Sequence, residues 1–267
     1  MAVVEGPIRF NGSLGDVTCY YNSVLKKWIF RKKGGANKKL IKKSKKFKNT
    51  RLNMAEFKAC GEWCHLVRVG LFELDDFNWG LYMSGIVQLS KTIQLMDPIG
   101  DWGMRNIESS KHKQLLTGIV FNALHPFDKV VMREPEVISD EMRMSVTVNL
   151  KQFYSLREMV WRKELIYYRF AMTIGQLSDY VYDPISKEHS PQHAGLESNR
   201  TVVFSKWYRK GSQPEDISLS AAFQEDEVPP ADATVMVGLA VELASPGTAN
   251  SYFSAKGDRT MKIVDCL

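Results

Sequence analysis

No acidic residue occurs between Asp16 and Glu56, although the chain carries 30 Asp and Glu in its 267 residues. Nor does any apolar run approach the roughly 18 residues that a membrane-spanning helix requires, so no membrane span is expected. The opening "MAVVEGPIRFNGSLGD" has no basic stretch followed by an apolar one. That is not a secretory signal peptide, and the chain is expected to be cytoplasmic at synthesis, with a virion or particle as a later location. Four cysteines (Cys19, Cys60, Cys64 and Cys266) are too few for a disulfide framework in a chain of this size and suit a reducing compartment.

The common catalytic and nucleotide-binding motifs are also missing. There is no G-x-x-x-x-G-K-[ST], no G-x-G-x-x-G and no G-x-S-x-G. "NGSLGD" lies between strand-like runs and precedes no helix, so it reads as a hairpin turn instead of a phosphate loop. Cys60 and Cys64 share a helical face beside His65, yet no second cysteine pair completes a four-ligand zinc site, and core packing is the simpler reading. Glu188, His189 and His193 fall in a loop-like stretch without helical spacing or a further ligand. The acidic pairs Asp75-Asp76 and Asp140-Glu141 read as solvated faces or caps, because carboxylate catalysis needs two groups converging from different elements. No catalytic, cofactor-binding or metal residue is assigned. A non-enzymatic protein is expected, with no cofactor and no small-molecule substrate.

What is present has a clear order. "VTCYY" and "KWIFR" are short strand-like runs joined by an Asn-Ser turn, which predicts an N-terminal β-hairpin unit over residues 1–35. A lysine-rich arm follows over 36–51. From about Thr50 the period becomes helical, with Phe57, Cys60, Cys64, Val67 and Leu71 on one stripe. "NWGLYMSGIVQLSKTIQLM" is apolar nearly all round and predicts a second, buried helix ending before Pro98 and Gly100. The end of "QLLTGIVFN" looks like a strand, and the helical region spans 52–126. Over 127–267 seven runs are rich in Val, Ile, Thr, Tyr and Phe, from "MRMSVTVNL" to "RTMKIVDC", and predict an antiparallel β-sandwich. "SKEHSPQHAGLESN" and "QEDEVPPADA" read as loops. The fold class is therefore α+β: N-terminal β-hairpin and basic arm, helical middle, C-terminal sandwich.

The gap in acidic residues coincides with a surplus of basic ones. Between Lys26 and Arg51 there are 13 Lys and Arg and no Asp or Glu, whereas the rest of the chain holds 23 against 30, a net −7. The chain is a basic segment joined to an acidic body. Candidate contact residues are Arg31, Lys32, Lys33, Lys38, Lys39, Lys42, Lys43, Lys45, Lys46, Lys48 and Arg51. Three readings compete for them. Nucleic acid would be held through phosphates without base readout, since Lys outnumbers Arg and only Phe47, Trp28 and Phe30 could stack. A second copy of the chain would be held through its acidic surface, for which Glu225, Asp226 and Glu227 are candidates. The third reading is a solvated connector. A membrane surface is a poorer partner, because Leu40, Ile41 and Phe47 make a small apolar face.

Taken in order, "FNGSLGDVTCYY", "FRKKGG", "FKNTRLNMAEF", "GDWGMRNIESSKHKQLLTGIVFN" and "YFSAKGDRTMKIV" resemble an uncharacterised Bacteroidota protein family marked by a G-x-L-G-D hairpin motif. The resemblance covers most of the chain and implies a helical middle joined to a β-rich C-terminal half. It implies no activity and no site residue. The connector departs from the family in its lysine density, so a role for the lysines is not part of what the resemblance implies. The expected function is a self-assembling structural subunit of a filament, shell or phage-like particle, hence a homo-oligomer. The alternative is a nucleic-acid-binding accessory protein.

Overall fold

A computed structural model describes residues 2–3, 10–71, 82–247 and 252–267, and packing divides the chain into two units, Met1–Arg51 and Leu52–Leu267. The first unit begins with an antiparallel sheet of β1 (Ala2–Val3), β2 (Gly12–Leu14), β3 (Val17–Asn22) and β4 (Lys27–Lys32), in the order β1-β4-β3-β2. The expected hairpin is its centre, β3 against β4. The Asn22 side chain closes the turn by accepting from the Val24 and Leu25 amides at 3.0 and 2.9 Å. Lys26 then takes a left-handed φ of 51°. A helix α1 (Lys38–Lys43) and a 3-10 turn over Lys45–Phe47 complete the unit. Its boundary with the second unit falls inside α2 (Lys48–Gly70).

In the second unit α2 and α3 (Tyr82–Leu95) lie on a six-stranded antiparallel sheet, and two further short helices, α4 (Phe127–Val130) and α5 (Ser155–Glu158), occur in connections. The remaining strands are β5 (Glu136–Ser139), β6 (Ser145–Phe153), β7 (Tyr167–Leu177), β8 (Tyr180–Asp183), β9 (Glu188–Pro191), β10 (Arg200–Phe204), β11 (Tyr208–Arg209), β12 (Glu215–Ala222), β13 (Thr234–Pro246), β14 (Tyr252–Phe253) and β15 (Arg259–Cys266). The large sheet centres on the β7–β13 pair, with β10 and β11 in file along the free side of β7 and β15 and β14 along that of β13. A second sheet, β12-β6-β5, covers one face, and β8 pairs with β9 separately. The fold is α+β, with a large antiparallel C-terminal sheet.

The two central strands have two different faces because side chains alternate along a strand. On β13, Val235, Val237, Leu239, Val241 and Leu243 join Phe170, Met172 and Ile174 of β7 and Val146, Val148 and Leu150 of β6 in the core between the sheets. Met236, Ala240 and Ala171 face the other way, into a second core with Cys60, Trp63, Cys64 and Val67 of α2. Burial on both faces explains why "TVMVGLAVEL" shows no polar alternation. The helix side carries Ala171, Gly175, Gly238 and Ala240 beside the larger Met236 and Leu177. Gly175 is the extreme case: a Cβ there would overlap the backbone carbonyl of Gly70, the last residue of α2.

Three expectations for the helical region differ from the structure. Phe57 is 64% exposed, and the buried stripe of α2 runs instead through Glu56, Cys60, Trp63, Cys64 and Val67. Helix α3 is buried on one face only, through Ile86, Ser90, Ile93 and Gln94; Ser90 and Gln94 face inward because partners on α2 await them. Within "QLLTGIVFN", Val120 makes an isolated bridge to Lys262 in place of a strand.

The Gly70–Gly175 contact makes a stability prediction. Gly175→Ala must push α2 off the sheet and is expected to cost about 2–3 kcal/mol. Gly61→Ala, on the exposed side of α2 where an added Cβ meets nothing, is expected to gain about 0.5–1 kcal/mol. Urea unfolding of both variants checks the pair, and equal effects would contradict the packing described.

Candidate functional site

The basic residues of the first unit are arranged by a few local devices. Gly35, at a φ of 117°, turns the chain out of β4. Asn37 then caps α1 by accepting from the Leu40 amide at 2.8 Å. Ser44 ends α1 and starts the next turn, its hydroxyl accepting from the Lys46 amide at 3.3 Å. Arg51 reaches back along the chain, donating from Nη1 to the carbonyls of Ile41 and Ser44 at 2.7 and 2.8 Å. It thereby satisfies carbonyls that the end of a helix leaves open.

Of the eleven cations expected to make contacts, Arg51 is thus half-buried and engaged within its own unit. Arg31, Lys32, Lys33, Lys38, Lys39, Lys42, Lys43, Lys45, Lys46 and Lys48 are exposed, and none has an acidic partner among the described residues. Helix α1 places like charges four residues apart, at Lys38 and Lys42 and at Lys39 and Lys43, which opposes helix formation. A hollow of about 250 Å³ is lined by Thr18, Arg31, Lys32, Lys33 and Gly34. The strand register sets Thr18 opposite Arg31, and the Lys33 amide donates to the Asp16 carbonyl at 2.5 Å, fixing the end of β4. Arg31 lies 5.9 Å over the Tyr20 ring. On the other side of the same strands Phe10 meets Phe30 edge-on at 5.5 Å, and Tyr21 meets Trp28 at 5.6 Å.

The candidate acidic residues belong to the second unit, in the connection between β12 and β13. Glu225 and Asp226 are exposed. Glu227 is engaged: its carboxylate accepts from the Gln224 amide at 3.0 Å and its carbonyl accepts from Gln176. The Asp140 carboxylate likewise accepts from the amides of Met144 and Ser145 at 2.8 and 3.1 Å, tying the turn between β5 and β6 where a solvated face or a helix cap was expected. Asp75 and Asp76 lie outside the described residues.

The remaining candidates separate onto different elements. His189 sits in β9, where a loop was expected, and its ring is buried with Nε2 2.9 Å from the Arg105 carbonyl. His193 bonds Asp232 at 2.8 Å, and Glu188 meets Lys58 at 3.4 Å. Cys60 and Cys64 donate to Gln94 and Ser90 of α3, at 3.5 and 3.8 Å. Burial pushes the Cys64 thiol up to about 11, so it stays protonated at neutral pH. His65 is exposed on the opposite side of α2. Among the described residues no group of three or more His, Cys, Asp or Glu could hold a metal ion.

Sequence reasoning passed over the polar network at the foot of the helices. Glu56 is fully buried; it pairs with Lys91, lies 3.8 Å from Arg105 and accepts from the Gly103 amide at 2.9 Å. Lys91 also reaches Gln94 at 2.9 Å, and Gln94 donates to the Arg105 carbonyl at 3.1 Å. The signal was there: a carboxylate four residues before Cys60, on the stripe that is otherwise apolar. Removing one partner of such a buried pair strands the other, so the network locks the loop through Gly103 and Arg105 to α2. A neighbouring cavity of about 90 Å³ is lined in part by Lys58, Glu62, Glu188 and His189.

Comparison with protein-family models, curated proteins and solved structures finds no match for this chain.

Burial holds His189 below the usual imidazole range, against the raising influence of its bond to the Arg105 carbonyl. The unfolded chain therefore takes up this proton first as pH falls through about 6.5, and stability should decline below that pH. Urea unfolding at pH 7.5 and 5.5 measures the slope, and His189→Gln should flatten it. An unchanged slope would contradict a buried neutral ring.

Proposed function

We propose that the protein is a non-enzymatic, self-assembling subunit whose basic N-terminal unit docks on the acidic unit of a neighbouring copy. The observation that carries this reading is the division of the chain at Arg51/Leu52. Met1–Arg51 has 14 basic and 2 acidic residues, a net +12, and Leu52–Leu267 has 22 and 28, a net −6. Charge and structure change at the same place. The ten exposed cations repel one another, and an acidic partner relieves that repulsion. Because the donor and acceptor surfaces differ, the contact is head to tail, which builds rings or open filaments. Glu225 and Asp226 are the proposed acceptors on the neighbour, with Glu227 shaping their turn.

Sedimentation velocity of nuclease-treated protein tests this reading. Assemblies are expected at 50 mM salt and dissociation at 500 mM, because screening shortens the reach of exposed charges to a few ångströms. Lys38→Glu, Lys39→Glu, Lys42→Glu and Lys43→Glu together should yield monomer at low salt. An identical sedimentation profile for the variant and the parent would overturn the proposal.

A second reading, non-specific nucleic-acid binding, is favoured by the hollow at Arg31, Lys32 and Lys33 and by the Tyr20 ring, over which Arg31 lies. Phosphates would enter the hollow and a base would stack at Tyr20 on the same face. Fluorescence anisotropy with a single-stranded oligonucleotide separates the two readings. Nucleic-acid binding predicts a log–log salt slope of about −3 or steeper. Assembly alone predicts no saturable binding at 150 mM salt.

A further inference from the structure

Within the acidic unit two arginines line one cleft. A cleft of about 400 Å³ lies at the end of β6, lined by Arg133, Gln152, Tyr154, Arg157, Glu158 and the turn at 211–214. The two arginines come from different elements, Arg133 from the segment before β5 and Arg157 from α5. Among the described residues Glu158 is the one acidic residue lining it, and its carboxylate is already used. One oxygen pairs with Arg133 and the other accepts from the Tyr154 amide at 2.8 Å. This pairing aims the Arg133 guanidinium without exhausting its five donors. Arg157 lies 5.8 Å from the Tyr154 ring centroid and has no acidic partner among the described residues. The cleft therefore keeps a net positive charge inside a unit whose overall charge is negative.

Its wall is also a place where the backbone departs from regular geometry. Gln152 has a φ of 51°, a left-handed conformation that side-chain-bearing residues seldom adopt. Both its amide and its side-chain Nε2 donate to Asp216, at 2.7 and 3.2 Å. The register of β12 against β6 slips at the same point, between Glu215 and Ile217. The bulge returns Phe153 to the core and turns Gln152 toward the cleft, as bulges beside binding sites do. Ser212 and Gln213 supply further hydrogen-bonding side chains across the opening.

We propose that this cleft binds a small anion carrying a phosphate or carboxylate group, gripped by the Arg133 and Arg157 guanidiniums. Planar guanidinium forks match both groups, and two forks from separate elements give an orientation that a single lysine cannot. The site lies wholly within the second unit and does not rest on the assembly reading.

Calorimetric titration of the full chain at 150 mM NaCl tests it, with inorganic phosphate in one arm and succinate in the other. Saturable binding of one or both is expected, and whichever binds names the group. Arg157→Gln, at an exposed position, should weaken that binding about tenfold or more. Arg133→Lys keeps the charge opposite Glu158 but loses the fork, and should weaken it as well. The variant carrying Gln at Lys38, Lys39, Lys42 and Lys43 should bind like the parent. No saturable binding of either anion, binding that survives both arginine variants, or binding lost only in the lysine variant would overturn the proposal.

Discussion

The second unit depends on two adjacent strands, β7 and β13, that are covered on both sides. Their two faces make opposite demands. Toward the smaller sheet they present large apolar side chains, and area removed from water stabilises that interface. Toward the helices they present Ala171, Gly175, Gly238 and Ala240, so that α2 can approach until the Gly70 backbone touches the sheet. At the other end of α2, Glu56 is out of water, where Lys91, Arg105 and the Gly103 amide engage it and tie the loop after α3 to the helix. The chain's other ordered elements in this unit are edges and connections of that three-layer arrangement.

Charge is managed differently in the two units. In the second, cations are repeatedly neutralised: Arg169 and Arg259 bracket the buried Glu242, Lys262 meets Asp128, Lys206 meets Glu215 and Lys151 meets Glu136. In the first, twelve exposed cations, Lys26 and Lys27 with the ten candidates from Arg31 to Lys48, stand without acidic partners among the described residues. Surface ion pairs are individually weak, so the difference says little about stability. It says more about partners, because unneutralised charge of one sign acts at a distance and selects what approaches. The same contrast sets the Arg133–Arg157 cleft apart: it is a local positive exception within the acidic unit.

Much of the architecture was legible in the order of residues. Runs rich in β-branched and aromatic residues did become strands, among them 145–153, 167–177, 234–246 and 259–266, because each has a covered face to fill. The turn at Asn22 and the change of period near Thr50 were equally readable, since both follow from local chemistry. What escaped depended on partners distant in sequence. Phe57 fits the helical stripe but is displaced from the core by Glu56, which is admitted only because Lys91 and Arg105 arrive from elsewhere. Strand β9 hides in a polar stretch, held by backbone bonds to β8, whose run "SDYVYD" does read as a strand, and by the His189 contact with Arg105. The cleft was invisible for the same reason: Arg133, Gln152, Arg157 and Gly211 are separated along the chain, and Gln152 gives no local sign that it adopts a left-handed backbone. The basic candidates were found as a group because their signal is composition, yet composition could not reveal that Arg51 is turned inward as a cap.

Unlike charges on the two units meeting between molecules is the central claim, and zero-length carbodiimide cross-linking of mixed ¹⁴N- and ¹⁵N-labelled protein at low salt tests it most directly. The account predicts mixed-isotope links joining lysines of 38–48 to Glu225 or Asp226, lost at high salt. Links found only within single molecules, or mixed links that never involve the N-terminal lysines, would contradict it.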